Sequence, residues 1–399
     1  MLKGKEIVLG VCGGIAVYKA VELVRLLTGA GANVHVIMTR AATEFVAPLT
    51  FQTLTSNPVH TELFNLIAER EIGHISLADR ADLFVIAPAT ANVIGKIAHG
   101  IADDMLTTTV MATRAPVLIA PAMNCNMYRN PLYQENEARL RRHGYLFADP
   151  VRGMLACGWE GEGKLQSPDI IFEEAVTALT PKDLAGEHLL VTAGPTQEEI
   201  DPVRFVSNHS SGKMGYAIAR AARRRGAEVT LVSGPTCLDA PWGVETVRVA
   251  SAVEMRAAVM AALPAATVVI KAAAVADYRP VVRAAGKIKK NADSLVIELE
   301  KNPDILAELG GIKGDRLLVG FAAETADLLE NARKKLVAKN VDMMVANDVS
   351  LEGAGFHGDT NIARLLYRDG ASEELPLMTK DDMAALILGR VAELRKKTG

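Results

Sequence analysis

Short apolar runs alternate with amphipathic stretches along the whole chain, and this alternation limits the possible folds more than any other feature. In the first half it predicts a helix at 15–27 and strands at 6–11, 34–39, 83–87 and 117–120. In the second half it predicts a helix at 213–225 and strands at 189–192, 229–233, 268–272, 317–321 and 343–346. Apolar strands that alternate with helices are typical of parallel sheets covered by helices on both faces. We therefore expect an α/β protein.

Two domains are expected, because 399 residues exceed what one hydrophobic core usually supports. Both halves begin with a strand, a glycine-containing loop and a helix, and the sequences GANV (31–34) and GAEV (226–229) then lead into a second strand. Pro181 and Gly186 interrupt the periodicity between the halves. The sequence thus predicts two doubly wound, Rossmann-like domains at 1–180 and 187–399, joined by a linker at 181–186.

Composition argues against several classes of function. The net charge of −3 gives no reason to expect nucleic acid as a partner, and the apolar runs, interrupted by Gly, Pro or charge, predict no membrane span. The four cysteines are scattered, without the spacing of a zinc site or a disulfide framework, so no metal ligands are identified. We expect a cytoplasmic protein.

Polar and small residues follow the predicted strands of the first half. Gly13 and Gly14 follow the first strand, Thr39 ends the second, and 90–93 (TANV) and 122–124 (AMN) follow two others. The carboxyl ends of parallel strands form the ligand crevice of such sheets. The glycine spacing is not G-x-G-x-x-G, which favours a mononucleotide phosphate over a dinucleotide. A glycine turn between strand and helix is, however, more often purely structural.

Two residues of the first half are candidates for acid–base chemistry. His74 stands at a predicted helix start, where a histidine is more often a cap or a surface residue than a catalytic group. Cys157 lies in GMLACGWEGEGKL (153–165), a glycine-rich stretch typical of a mobile flap rather than of a buried strand. Asn124 offers amide donors that could hold a carboxylate.

The second half carries SNHSSGKMG (207–215), which is not a P-loop because Met214 follows Lys213 where Ser or Thr is needed. One polar residue would suffice as a helix cap, so this run of small and polar residues before the helix suggests a phosphate site. The lysines of KIKK (287–290) follow the strand end near Asp277, although such a run is more often a solvated loop. Lys335 and Lys339 share one helix face.

The motifs GVCGGIAVYK, APATANVIGKIAHGIADD, PAMNCNMYRNP and ACGWEGEGKL resemble those of the phosphopantothenoylcysteine decarboxylases, within the homo-oligomeric FMN-containing cysteine decarboxylase family. The resemblance implies a flavodoxin-like FMN-binding domain with His74 as base, Asn124 gripping the substrate carboxylate and Cys157 as proton donor. The FMN contacts that it implies are Gly13, Gly14, Ile15, Thr39, Thr90, Ala91, Asn92, Val93 and Ala122.

The second half resembles the CTP-using phosphopantothenate–cysteine ligases of bacteria, through DPVRFVSNHSSGKMG, AAAVADY, KIKK and KNPDI. The resemblance implies that Arg204, Asn208 and Ala274 bind the acyl substrate, with Asn208 and Lys287 catalytic and Mg²⁺ on the triphosphate. The CTP contacts that it implies are Asp277, Lys287, Pro303, Asp304, Ile305, Leu306, Phe321, Lys335 and Lys339. Residue chemistry alone does not distinguish CTP from ATP.

Together the resemblances imply a bifunctional enzyme of coenzyme A biosynthesis. The ligase would join 4′-phosphopantothenate to cysteine through an acyl-cytidylate, and the decarboxylase would convert the product to 4′-phosphopantetheine. They also imply a homo-oligomer, expected to be a dodecamer with trimeric decarboxylase contacts and dimeric ligase contacts. A flavin prenyltransferase-like enzyme and a non-catalytic FMN-binding regulatory protein are the alternatives, and neither gives the second half a role.

Overall fold

A computed structural model describes residues 2–63, 73–154, 158–289, 295–324, 328–348, 355 and 358–398. The chain divides into two compact units, Met1–Thr180 and Pro181–Gly399. No helix within the described ranges is both long enough and apolar enough to span a bilayer.

The first unit contains eight described strands and nine described helices. The strands are β1 (Glu6–Val11), β2 (Asn33–Met38), β3 (Val59–His60), β4 (Leu83–Ala89), β5 (Val117–Pro121), β6 (Leu146–Phe147), β7 (Val151–Met154) and β8 (Glu160–Lys164). The helices are α1 (Val17–Gly29), α2 (Arg40–Thr43), α3 (Pro48–Thr55), α4 (Gly73–Arg80), α5 (Ala91–Ala98), α6 (Met105–Ala112), α7 (Cys125–Tyr128), α8 (Pro131–Arg142) and α9 (Pro168–Leu179).

The main sheet of this unit is parallel, in the order β3-β2-β1-β4-β5-β6. Alternate strand residues point to opposite faces, so Leu9 packs with α1 and α9 while Val8 packs with α5 and α6. Apolar layers on both faces explain why the strands are apolar throughout. The doubly wound prediction is confirmed. The strand order 3-2-1-4-5-6 is that of the Rossmann fold and differs from the flavodoxin order 2-1-3-4-5 that the flavodoxin-like expectation implied.

The second unit has twelve described strands and five described α-helices. The strands are β9 (His188–Ala193), β10 (Gln197–Glu199), β11 (Phe205–Ser207), β12 (Glu228–Ser233), β13 (Glu245–Arg248), β14 (Val268–Lys271), β15 (Tyr278–Pro280), β16 (Leu299–Lys301), β17 (Leu317–Glu324), β18 (Met343–Asp348), β19 (Thr360–Tyr367) and β20 (Ser372–Thr379). The helices are α10 (Lys213–Arg224), α11 (Ala252–Ala262), α12 (Ile305–Ile312), α13 (Leu328–Ala338) and α14 (Lys380–Thr398), with a short 3₁₀ turn at Leu263–Ala265.

Its main sheet has the order β13-β12-β9-β14-β17-β18-β19-β20. The first six strands in this order are parallel, and β19 and β20 continue the sheet antiparallel. Helices α10 and α14 pack on one face, and α11, α12 and α13 pack on the other. Two short antiparallel ribbons, β10–β11 and β15–β16, accompany the sheet. This second doubly wound sheet was also predicted.

Residues 181–186, predicted as a linker, pack within the second unit. Leu184 is buried in its hydrophobic core, and its amide donates to the Arg225 carbonyl at 3.1 Å. The Lys182 ammonium donates to the Arg224 carbonyl at 2.6 Å. The segment is therefore held to α10 by main-chain and side-chain contacts.

Candidate functional sites

The loop after β1 approaches α2 closely. A Cβ atom on Gly13 would stand 2.4 Å from the Ala41 Cβ, so no larger residue fits there without movement. Gly14 faces open space, and Ile15 is exposed. Within the described part of the chain, the amides of these three residues donate no hydrogen bond. Free amides beside an open space at a helix start can cradle a phosphate.

Two threonines predicted as FMN contacts cap helices beside this loop. The Thr39 hydroxyl accepts from the Ala42 amide at 3.3 Å, and the Thr90 hydroxyl accepts from the Val93 amide at 3.5 Å. Strands β2 and β4 both pair with β1, so their carboxyl ends flank the Gly13 loop. The sheet therefore brings the predicted glycine and threonine residues to one edge, at the point where the strand order reverses.

The segment after β5 reaches the same edge and packs against β8. Asn124 caps α7 by accepting from the Asn126 amide at 2.8 Å, and the Met123 amide donates to the Gly163 carbonyl at 2.9 Å. A Cβ atom on Gly163 would lie 2.4 Å from the Met123 oxygen, and one on Gly161 would lie 2.7 Å from the Cys125 Cβ. These two glycines permit close packing. The described flanks of the predicted flap are thus an ordered hairpin, while Cys157 lies outside the described residues.

His74 lies in the first turn of α4, as predicted. Helix α4 immediately precedes β4 and runs antiparallel to the strands of the sheet. Its first turn therefore lies at the carboxyl edge of the sheet. The His74 Nδ1 atom is buried and has no hydrogen-bond partner among the described residues. A buried ring nitrogen usually has a hydrogen-bond partner. A ligand or a water molecule could therefore be the partner of this atom.

Cys12 follows β1 but is not a candidate nucleophile. Its side chain is buried, and burial raises the pKa of the thiol to about 12. Its amide donates to the Pro88 carbonyl at 3.2 Å, which joins the loops after β1 and β4. This cysteine therefore serves packing, in agreement with its sequence interpretation.

The second unit contains a cavity of about 570 Å³ at the carboxyl ends of its parallel strands. It is lined by nine residues predicted to bind substrate or nucleotide: Ala274, Asp277, Pro303, Asp304, Ile305, Leu306, Phe321, Lys335 and Lys339. The residues that immediately precede α10 line it as well, at Ser210, Ser211 and Gly212. Such a volume is typical of a small-molecule site.

Positive charge dominates the cavity wall. Six lysines line it, at positions 213, 271, 301, 335, 339 and 380, against the two aspartates 277 and 304. Lys339 pairs with Asp304 at 3.0 Å, and Lys213 pairs with Asp359 at 2.6 Å. Within the described ranges no group of three His, Cys, Asp or Glu residues is arranged to hold a metal ion. The cavity is suited to a ligand that carries several negative charges.

Glycines let α10 start close to β9. A Cβ atom on Gly215 would lie 2.5 Å from the Ala193 Cβ, and Gly212 has a φ of +79° beside Gly194. These residues occupy the helix start that faces the cavity. Tight packing of helix on strand with exposed amides is the arrangement by which nucleotide-binding sheets hold phosphates.

Three predicted residues do not line the cavity. Arg204 pairs with the buried Asp201, holds the pKa of that carboxyl far below its usual range, and also donates to the Ile288 carbonyl at 2.9 Å. Asn208 donates to the carbonyl of cavity residue Ala274 at 2.9 Å. Lys287 is exposed in a loop that Asp201 holds through the Ile288 amide at 3.1 Å. The structure thus brings Asn208 to the cavity rim and places Lys287 in solvent.

Several polar residues of the cavity were not predicted from the sequence. Lys301 and Asn302 adjoin the predicted 303–306 segment, and Lys380 comes from the distant start of α14. Lys271 was counted as part of an apolar strand, although a lysine that ends such a run is itself a signal. Burial, with Lys339 nearby, lowers the pKa of Lys271 to about 8.

Two family models together cover nearly the whole chain. Residues 1–180 match the model described as Flavoprotein. Residues 184–394 match the model described as DNA/pantothenate metabolism flavoprotein C-terminal domain.

Curated relatives match over their full length. The coenzyme A biosynthesis bifunctional protein CoaBC of Bacillus subtilis (strain 168) is 52% identical over 403 residues, covering 100% of this chain and 99% of the relative. The protein of the same name from Escherichia coli (strain K12) is 48% identical over 395 residues, covering 98% of this chain and 97% of the relative.

Solved structures match one unit each. The C-terminal domain of a coenzyme A biosynthesis bifunctional protein CoaBC is 48% identical, covers 54% of this chain and 99% of its own, and has a TM-score of 0.47. The FMN-dependent cysteine decarboxylase SpaF is 31% identical, covers 44% of this chain and 99% of its own, and has a TM-score of 0.39.

Proposed function

The chain belongs to the family of coenzyme A biosynthesis bifunctional proteins, and from that premise we propose which reaction each of its two sites catalyses. It is a flavoprotein enzyme with phosphopantothenate–cysteine ligase and phosphopantothenoylcysteine decarboxylase activities. The decarboxylase site is assigned to the first unit, 1–180, and the ligase site to the second. A cytoplasmic location is part of this proposal.

FMN is the proposed flavin of the first unit. The Gly13 and Gly14 amides, which donate no hydrogen bond to any described residue, and the open space at Gly14 fit its phosphate. The other proposed contacts stand at the same sheet edge, at Ile15, Thr39, Thr90–Val93 and Ala122. The Nδ1 atom of His74 near that edge is buried and has no partner among the described residues, which leaves it for a polar group of a ligand. Bound FMN would supply a hydride acceptor and donor for the thiol-bearing carbon of the substrate.

The residues around the flavin divide the remaining tasks. Asn124 is proposed to hold the substrate carboxylate through its amide N–H groups, since its side-chain oxygen is occupied as the α7 cap. His74 is proposed to take the proton of the reacting thiol, because a neutral imidazole nitrogen can accept a proton. Cys157, outside the described residues, is proposed to return a proton to the decarboxylated product.

CTP and Mg²⁺ are proposed for the ligase cavity, and its lysine-rich wall is the observation that supports them. Lys335 and Lys339 would neutralise triphosphate charge, and bound Mg²⁺ would neutralise more of it. A carboxylate is a poor electrophile, so transfer of a cytidylyl group to it supplies the leaving group that the cysteine amine displaces. Asn208 and Ala274 would position the acyl group. From neighbouring loops, Arg204 would bind the acyl substrate and Lys287 would serve as a catalytic residue. The choice of CTP over ATP rests on the family.

A homo-oligomer is proposed, with ligase units paired and decarboxylase units in threes within a dodecamer. In the ligase unit, apolar side chains are exposed on the adjacent ribbons β10–β11 and β15–β16, at Phe205, Val206, Tyr278 and Leu299. Exposed apolar clusters commonly mark protein interfaces. Light scattering during gel filtration measures the assembly, and a monomer would refute the proposal.

Mass spectrometry of one reaction tests both activities together. The purified protein is incubated with 4′-phosphopantothenate, cysteine, Mg²⁺ and either CTP or ATP. Phosphopantetheine in the CTP reaction supports both sites, and the ATP reaction decides the nucleotide. Accumulation of phosphopantothenoylcysteine alone would refute the proposed decarboxylase site. A regulatory or prenyltransferase-like protein would form neither product.

A further inference from the structure

Lys271 is the last residue of β14 and the only charged residue of that strand, whose sequence is VVIK. Side chains alternate along a strand, so Lys271 lies on the same face as Val269, which packs in the core beneath α11 and α12. The side chain is partly buried and lines the ligase cavity. A lysine is therefore held at the carboxyl end of a central strand, where these sheets bind ligands.

The charged groups around Lys271 come from three elements. Lys339 follows the end of α13, Asp304 caps α12, and Asp277 lies in the loop after β14. Asp304 is already engaged, because its Oδ2 atom lies 3.0 Å from the Lys339 ammonium. The two aspartates favour the charged form of Lys271, whereas burial and Lys339 disfavour it more strongly.

Lys271 also differs from two other cavity lysines in having no side-chain partner among the residues that the structure describes. Lys213 pairs with Asp359 at 2.6 Å, and Lys380 donates to the Gly358 carbonyl at 2.5 Å. Within the described ranges, the Lys271 ammonium group makes no hydrogen bond and no ion pair. A partly buried ammonium without a partner is unfavourable unless an anion compensates for the lost hydration.

We propose that Lys271 is a further substrate-binding residue of the ligase, whose ammonium group binds an anionic oxygen of the nucleotide triphosphate or of the phosphorylated acyl substrate. This inference rests on the ligase function proposed above. The two substrates share phosphate chemistry, and kinetic measurements on each of them identify the one that Lys271 contacts. The role is one of binding, since no reacting atom is assigned to this side chain.

The proposal carries a dependence on pH. The pKa of Lys271 in the protein without ligand is about 8, so the side chain loses its charge as the pH rises through this value. An anion binds the charged form, and affinity is therefore highest below pH 8 and falls above it. The KM of the contacted substrate should rise between about pH 7 and about pH 9, towards the value found when the charge is absent.

The experiment compares Lys271→Met, Lys271→Arg and Lys334→Met in the full-length protein. Lys334 is the matched control, because it is an exposed lysine of α13 that pairs with Glu330 at 2.6 Å and does not line the cavity. The KM values for CTP and for 4′-phosphopantothenate are measured at both pH values, and CTP binding is measured separately by calorimetry. Decarboxylation of supplied phosphopantothenoylcysteine monitors the first unit.

Lys271→Met should raise the KM of one of the two substrates by about 10-fold or more near pH 7 and abolish its rise with pH. Lys271→Arg should retain most of the affinity, and Lys334→Met should match the wild type. If both KM values and their pH dependence are unchanged in Lys271→Met, the inference is overturned. If the wild-type protein itself forms no ligase product, the proposed function fails instead.

Discussion

The two candidate sites occupy the same place in two doubly wound sheets, yet they offer their ligands different groups. The first presents main-chain amides at Gly13 and Gly14, hydroxyl caps and the imidazole of His74, whose Nδ1 atom has no partner among the described residues. The second presents six lysine side chains around a cavity. Main-chain groups depend on close backbone packing, whereas ammonium groups act through charge. One topology can therefore support two chemistries that respond differently to substitution.

The largest expected effect separates the two activities. Replacing His74 by Ala removes the proposed base, and loss of a general base lowers kcat by about 10²–10⁴-fold. Decarboxylation of phosphopantothenoylcysteine should fall by that factor while ligase turnover is unchanged. His143→Ala is the control, because His143 is an exposed histidine after α8 in the same unit. Equal decarboxylase rates in both variants would remove His74 from the mechanism.

A charge change in the second unit should have a smaller effect that is confined to the ligase. Lys339→Met removes a charge from the cavity and leaves Asp304 without its partner. Charge-assisted hydrogen bonds contribute about 1.5–3 kcal/mol, so the KM for CTP should rise by about 10- to 100-fold. Steady-state kinetics at varied CTP measure it, and flavin content should stay constant. An unchanged KM would mean that the nucleotide binds elsewhere.

A backbone change in the first unit tests the opposite half of the comparison. In Gly13→Val the new side chain collides with Ala41, and overpacking of this kind costs about 1–3 kcal/mol. The loop must shift, so flavin absorbance per protein should fall while ligase kinetics are retained. Gly29→Ala is the control, because its Cβ atom would meet nothing within 4 Å. Normal flavin content in Gly13→Val would contradict the proposed cradle.

Salt should produce the smallest difference. Raising the ionic strength from about 0.1 M to about 1 M shortens the Debye length from about 10 Å to about 3 Å. The KM for CTP should increase several-fold because the lysine wall attracts the triphosphate through charge. Flavin content, measured after gel filtration at each salt concentration, should change little. If salt lowered the flavin content by as large a factor as it raised the KM for CTP, the contrast between the sites would be lost.

The sequence predicts the parallel sheets well because their strands are buried on both faces. Strand β1 was predicted at its observed bounds. Helix α1 begins two residues later than predicted, because Ile15 and Ala16 form a turn that the Val17 amide closes on the Gly14 carbonyl. Strand β4 continues through Pro88 to Ala89, with an irregular register, although proline predicted an earlier end. Local patterns thus fix the elements but not their last residues.

Features that depend on distant partners could not be read from the sequence. The ribbons β10–β11 and β15–β16 are strands of three residues, too short for a periodic pattern. Gly161 and Gly163 suggested a mobile flap because the residues that they pack against, Cys125 and Met123, lie about 40 positions away in the chain. Lys271 was overlooked for the same reason, since its surroundings come from α12 and α13.

The packing of residues 181–186 against the second unit has a genetic consequence. Each unit has its own sheet and its own hydrophobic cores, and the division falls between Thr180 and Pro181. Leu184 belongs to the core of the second unit, so an open reading frame for that half must begin before it. A gene split at this codon boundary would yield two products that keep every side chain of their own sites. Fusion or separation of the two genes can therefore change their regulation without redesigning either protein.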